Sequence, residues 1–185
     1  MIRVILLLIS VCLSAVSSYY WDIYYPMDRY HKLFEYFKIF STGFFFSLFC
    51  LYLIQSKGKT MWIRLFFLLL LWHISFLLGY GLLFSGILYG ILVAGVGFLS
   101  GWLINGILIE NPKNSTNKKW YIMPLTGFFA VLIGIGILSC FNNLQDYTYG
   151  FRLMWIVVPW QIGIGSILIQ QKLVRENKVT ENNNF

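Results

Sequence analysis

The chain has 185 residues, of which 58% are hydrophobic and 11% charged, with a formal net charge of +7 and a mean hydropathy of +0.71. A water-facing surface normally makes about a quarter of a soluble domain's residues charged, so this composition excludes an ordinary soluble globular domain. The basic residues flank apolar blocks instead of gathering on a folded groove, which argues against a nucleic-acid partner and for anionic lipid headgroups.

Crossing a hydrocarbon core of ~30 Å takes ~20 helical residues, and an open strand edge in lipid would strand its backbone polar groups. The apolar blocks therefore predict an all-α, polytopic transmembrane bundle of about six spans, at 4–20, 33–54, 62–83, 86–109, 120–141 and 151–171. The whole of 1–171 reads as one domain, and 172–185 as a polar, disordered cytoplasmic tail.

The first block has two readings. Arg3, an apolar run and Ala15-Val16-Ser17 fit a secretory signal cleaved after Ser17. The run also continues to Tyr20 and approaches spanning length, which favours a retained span. The connection to the second span mixes aromatics with both charge signs. Trp21, Asp22, Tyr25, Asp28, Arg29 and His31 form a candidate external recognition segment, set against the plainer reading of an interfacial aromatic belt and a tight turn.

In the third span, His73 sits near mid-depth. An ionisable side chain there is a candidate proton relay, or else a neutral imidazole bonded to a neighbouring helix. The only other histidine is His31, near the external end of the second span, so a two-histidine haem pair is poorly supported. Residues 65–109 carry no Asp, Glu, Lys or Arg, and at 1.5 Å per residue they would reach roughly 67 Å as one helix. That is about twice a bilayer, so the block is two spans joined by a turn at Gly79, Gly81, Ser85 and Gly86.

The fourth span places Gly86, Gly90, Ala94, Gly97, Gly101 and Asn105 on one helical stripe. Small residues at four-residue spacing let another backbone approach closely, either a helix of the same bundle or one from a partner. The sixth span contains Pro159-Trp160-Gln161. Proline removes a helical hydrogen bond, and Gln161 can bond to the freed carbonyls or to a ligand. His73, Asn105 and Gln161 thus form a candidate intramembrane polar site.

The loops orient the chain. Ten basic residues fall on the side of Arg3, Lys57, Lys118 and Lys172, and four on the other side. By the positive-inside bias both termini are cytoplasmic, which places the chain in a membrane such as the bacterial cytoplasmic one. Cys12, Cys50 and Cys140 sit in or beside different blocks with no CxxC pair or Cys/His cluster, so neither a disulfide framework nor a metal site is expected, and no cofactor is implied.

No HExxH, GxSxG or P-loop pattern occurs, and Glu35 and Glu110 fall at opposite faces, so general acid–base chemistry lacks a paired residue. In length and span number the chain is similar to the substrate-binding membrane subunits of vitamin uptake transporters; the likeness is one of size and carries no site residues. Three functions remain. The first is a non-catalytic membrane subunit, or an accessory or immunity-type factor that binds another membrane protein. The second is a small-solute or ion carrier using the interior polar residues. An enzyme ranks last.

Overall fold

The computed structural model describes residues 1–24, 32–55, 57–81, 89–108, 121–140 and 149–182. Among these residues the chain is all-helical, with six helices and no strand: α1 (Ile2–Tyr24), α2 (Lys32–Leu53), α3 (Gly58–Gly81), α4 (Tyr89–Leu108), α5 (Ile122–Cys140) and α6 (Tyr149–Asn182).

Local chemistry sets the ends that are described. After α2 the chain turns on two left-handed residues, Gln55 at φ 52° and Gly58 at φ 59°. The Gln55 amide donates to Tyr52 O at 3.1 Å, which caps the last turn of α2 and lets α3 begin at once. Pro124 lies in the first turn of α5, where a missing N–H leaves no helical carbonyl unserved. α6 runs to Asn182, through the segment 172–182 for which the sequence predicts disorder. Its extension is tied to the start of α1: Arg3 donates to Glu176 Oε1 at 2.7 Å, and Lys172 lies 3.8 Å from the same oxygen one turn away.

Each helix packs on the next in sequence, α6 closes the ring against α1, and α2 and α6 also meet across the interior. Neighbours run antiparallel. Gly97 meets Gly127 and Gly101 meets Met123 across α4–α5, Gly134 meets Trp155 across α5–α6, and Gly165 meets Leu7 across α6–α1.

These meetings are close. An ideal Cβ at Gly97 would lie 2.6 Å from Gly127 O, one at Gly127 would fall on Gly97 O, and one at Gly101 would lie 2.8 Å from Met123 O. Only a glycine lets the two backbones reach this spacing, and the facing Cα–H and carbonyl groups then make weak hydrogen bonds. Pro159 has no N–H to give the Trp155 carbonyl, and the Cα of Gly134 faces that oxygen from α5.

The enclosed side chains are mostly apolar, yet some polar groups are buried among them and many large apolar groups lie outside. Ser10, Ser14, Thr42, Ser47, Ser100 and Gln161 are buried, while Phe66, Phe67, Leu77, Leu99, Trp102, Phe129 and Ile133 are exposed. Two stretches, Gly90–Leu108 and Ile122–Cys140, are long and apolar enough to cross a membrane.

Candidate functional site

One cluster of polar side chains lies where α1, α2 and α6 meet. In an apolar span a serine hydroxyl finds its nearest acceptor one turn back on its own helix. Ser10 Oγ donates to Leu7 O at 2.8 Å and Ser14 Oγ donates to Ser10 O at 2.9 Å. Their protons are thereby committed, and their oxygens face the seam as acceptors. Gln161, fully buried, enters from α6; its Nε2 donates to Ser14 Oγ at 3.4 Å and to Thr42 O at 3.2 Å. Both partners at that end accept, which fixes the amide orientation. Further along the seam, Ser17 Oγ donates to Ser41 Oγ.

Trp160, the neighbour of Gln161, turns the other way and fills the centre of the ring. Its ring lies 5.7 Å from Phe46 of α2 and 5.7 Å from Trp72 of α3. Its indole N–H reaches Gly97 O of α4 at 3.4 Å, and Gly127 of α5 lies against the same nitrogen. Trp72 in turn lies over Gly43, where an ideal Cβ would meet the indole ring. Four helices, α2 to α5, therefore converge on one side chain of α6, and the interior at this level is packed with aromatic surface.

The three residues of the candidate intramembrane site fall in different seams. Gln161 lies in the α1–α2–α6 seam, and its amide bonds across to α1 and α2, not back to the carbonyl released by Pro159. His73 is half-buried against α2, its ring 6.1 Å from Phe40. Its Nδ1 lies 2.9 Å from Leu69 O; a carbonyl can only accept, so this nitrogen carries a proton. Asn105 is on α4, on the stripe of Gly97 and Gly101, and its buried Oδ1 finds no hydrogen-bond donor among the described residues.

Of that stripe, Gly97 and Gly101 press on α5, Ala94 is fully buried, a Cβ added at Gly90 would meet only Ile135, at 4.0 Å, and Gly86 lies outside the described residues. Trp21 and Asp22 belong to the last turn of α1, while Tyr25, Asp28, Arg29 and His31 lie outside the described residues.

Among the described residues no group of three or more His, Cys, Asp or Glu side chains could hold a metal ion, and the cysteines are separate. The residues that sequence reasoning passed over are Ser10, Ser14 and Thr42. Their signal was the spacing of Ser10, Ser14 and Ser17 along one face of an otherwise apolar helix. At the α1–α6 end, the hydrogen bond from Arg3 is the main cause that holds the Glu176 carboxyl below the usual carboxylate range. Comparison of the chain with protein-family models, with curated proteins and with solved structures found no match.

Proposed function

We propose that the chain is an integral membrane protein of six helical spans, with both termini on the cytoplasmic side of a bacterial-type inner membrane. On this reading it works without catalysis, as a subunit or accessory factor that binds another membrane component. Membrane residence draws its support from the large apolar side chains on the outer surface. Only 39% and 33% of the two long apolar stretches are buried, whereas the core helix of a soluble protein would be mostly buried. Leaving side chains such as Phe66, Trp102 and Phe129 half exposed to water would forfeit a good part of the ~1.5–3 kcal/mol that full burial of such a side chain contributes, and lipid removes that loss.

The observation that carries the binding reading over the carrier reading is Trp160. A carrier needs a polar place that a solute can reach from each side in turn. Here the ring centre is filled by indole and phenyl groups, and His73, Asn105 and Gln161 lie apart. What the molecule offers its surroundings is its outer surface.

The test is purification in mild detergent from the cells that make the protein, followed by reconstitution of the chain and any stoichiometric companion from separately purified components in liposomes. The expected result is a defined complex that re-forms. Recovery of the chain alone across several detergents, together with saturable uptake of a solute by liposomes containing only this chain, would overturn the binding reading in favour of the carrier.

A further inference from the structure

In the α1–α2–α6 seam the donors of Ser10, Ser14 and Gln161 are all committed. The Ser10 proton is spent on Leu7 O and the Ser14 proton on Ser10 O, and the Gln161 amide gives its hydrogens to Ser14 Oγ and Thr42 O. Gln161 Oε1 is left fully enclosed and finds no donor among the described residues. Turning the amide over cannot repair this, because Nε2 faces two acceptors and a carbonyl oxygen put there would meet no hydrogen. A buried acceptor in that condition costs about 1–3 kcal/mol, and side chains or internal water normally relieve it.

We infer that Gln161 Oε1 is a binding site for one small neutral hydrogen-bond donor, and that the ligand is a water molecule held inside the bundle at mid-helix. Three features select water. The missing partner must donate, since an amide carbonyl oxygen can only accept. It must be small, because Ser14 and Gln161 are fully buried and Thr42 nearly so. It needs more than one polar neighbour, and Ser14 Oγ and Thr42 O already flank the same amide. The site is independent of the proposed partner binding and of the solvent outside the bundle, since it concerns only groups enclosed by the three helices.

The test uses the full-length protein labelled with 15N-glutamine, in detergent or bilayers, and reads magnetisation transfer from water to side-chain amides by NMR. The Gln161 resonance is assigned by its loss in Gln161→Met. Should that variant fail to fold, the shift of the same resonance in Ser14→Ala serves instead. Exposed Gln55 is the positive control, and it exchanges with bulk water. The expected result is a cross-peak between water and the Gln161 amide that persists when bulk exchange is slowed by lowering pH. Transfer to Gln55 with none to Gln161 would overturn the proposal. Failure of the partner experiments would leave this result untouched.

Discussion

Replacing Gly127 with alanine puts one methyl group where no methyl fits. Its Cβ would fall on Gly97 O and lie 3.3 Å from Trp160 Nε1. The obstacle is backbone, so rotamer adjustment cannot clear it, and α4 must move away from α5. Opening a contact by a gap of even ~0.5–1 Å already loses a quarter to a half of its dispersion energy, and the same movement loosens Gly101 from Met123 O and Trp160 from Gly97 O. Overpacking of this kind costs about 1–3 kcal/mol. At about 2–4 °C per kcal/mol for a chain of this length, the melting temperature should fall by roughly 2–12 °C.

The counterpart is Gly136→Ala, on the same helix, where an added Cβ meets nothing within 4 Å. There alanine should stabilise the helix by about 0.5–1 kcal/mol. The double variant Gly97→Ala with Gly127→Ala should lose less than the sum of its parts, since one separation of the helices accommodates both methyls. Thermal unfolding followed by tryptophan fluorescence in a fixed detergent compares the parent, the single variants at Gly97, Gly127 and Gly136, and the double variant. The reasoning fails if Gly127→Ala melts with the parent, or if Gly136→Ala is destabilised as much as Gly127→Ala.

Three shorter tests address other parts of the molecule. A double-mutant cycle on Ser14→Ala and Gln161→Met should return a coupling of about 0.5–1.5 kcal/mol for their hydrogen bond; strict additivity would mean the bond is not formed. Leu7, buried in the notch of Gly165, should cost about 2–5 kcal/mol when cut to alanine, and the mature protein should retain residues 1–17. Sequencing that finds the mature N-terminus after Ser17 would remove α1 from the account. Because the Glu176 carboxyl is lowered by its bond from Arg3, the stability it adds is present above the ordinary carboxylate range and is lost as pH falls through the lowered value. The difference between the parent and Glu176→Gln should therefore be small at neutral pH and vanish on acidification, whereas a difference that grows with acid would have the wrong sign.

The helices were legible because long apolar runs are broken by turn residues and by connections alternately rich and poor in Lys and Arg, and that pattern needs no knowledge of packing. Helix ends were less so. Apolar composition reports where lipid-like surroundings end, not where a helix does, and α6 continues past Gln171 because Glu176 finds Arg3 at the other end of the chain. Gln161 stood out as a polar residue beside a proline. Its partners did not, because Ser14 is 147 positions away in sequence and its hydroxyl reads locally as one more small residue. His73 shows the reverse. Its depth along the helix could be read from the sequence, but the face it occupies depends on Phe40 of α2 and on the Leu69 carbonyl, and neither relation is visible before folding. The glycine stripe of α4 announced a close backbone without naming it; Gly127 and Met123 of α5 are the groups that lie against Gly97 and Gly101.

The claim on which the rest turns is that the apolar outer coat has lipid as its solvent. It can be examined directly with a photoactivated hydrophobic carbene reagent, dissolved in the membranes of cells making the protein, with the labelled positions then mapped. The account expects adducts on Phe66, Leu77, Leu99, Trp102, Phe129 and Ile133 and none on the enclosed Trp160 and Gln161. Adducts no more frequent than on a water-soluble protein in the same cells, with the chain recovered in the detergent-free supernatant, would contradict it.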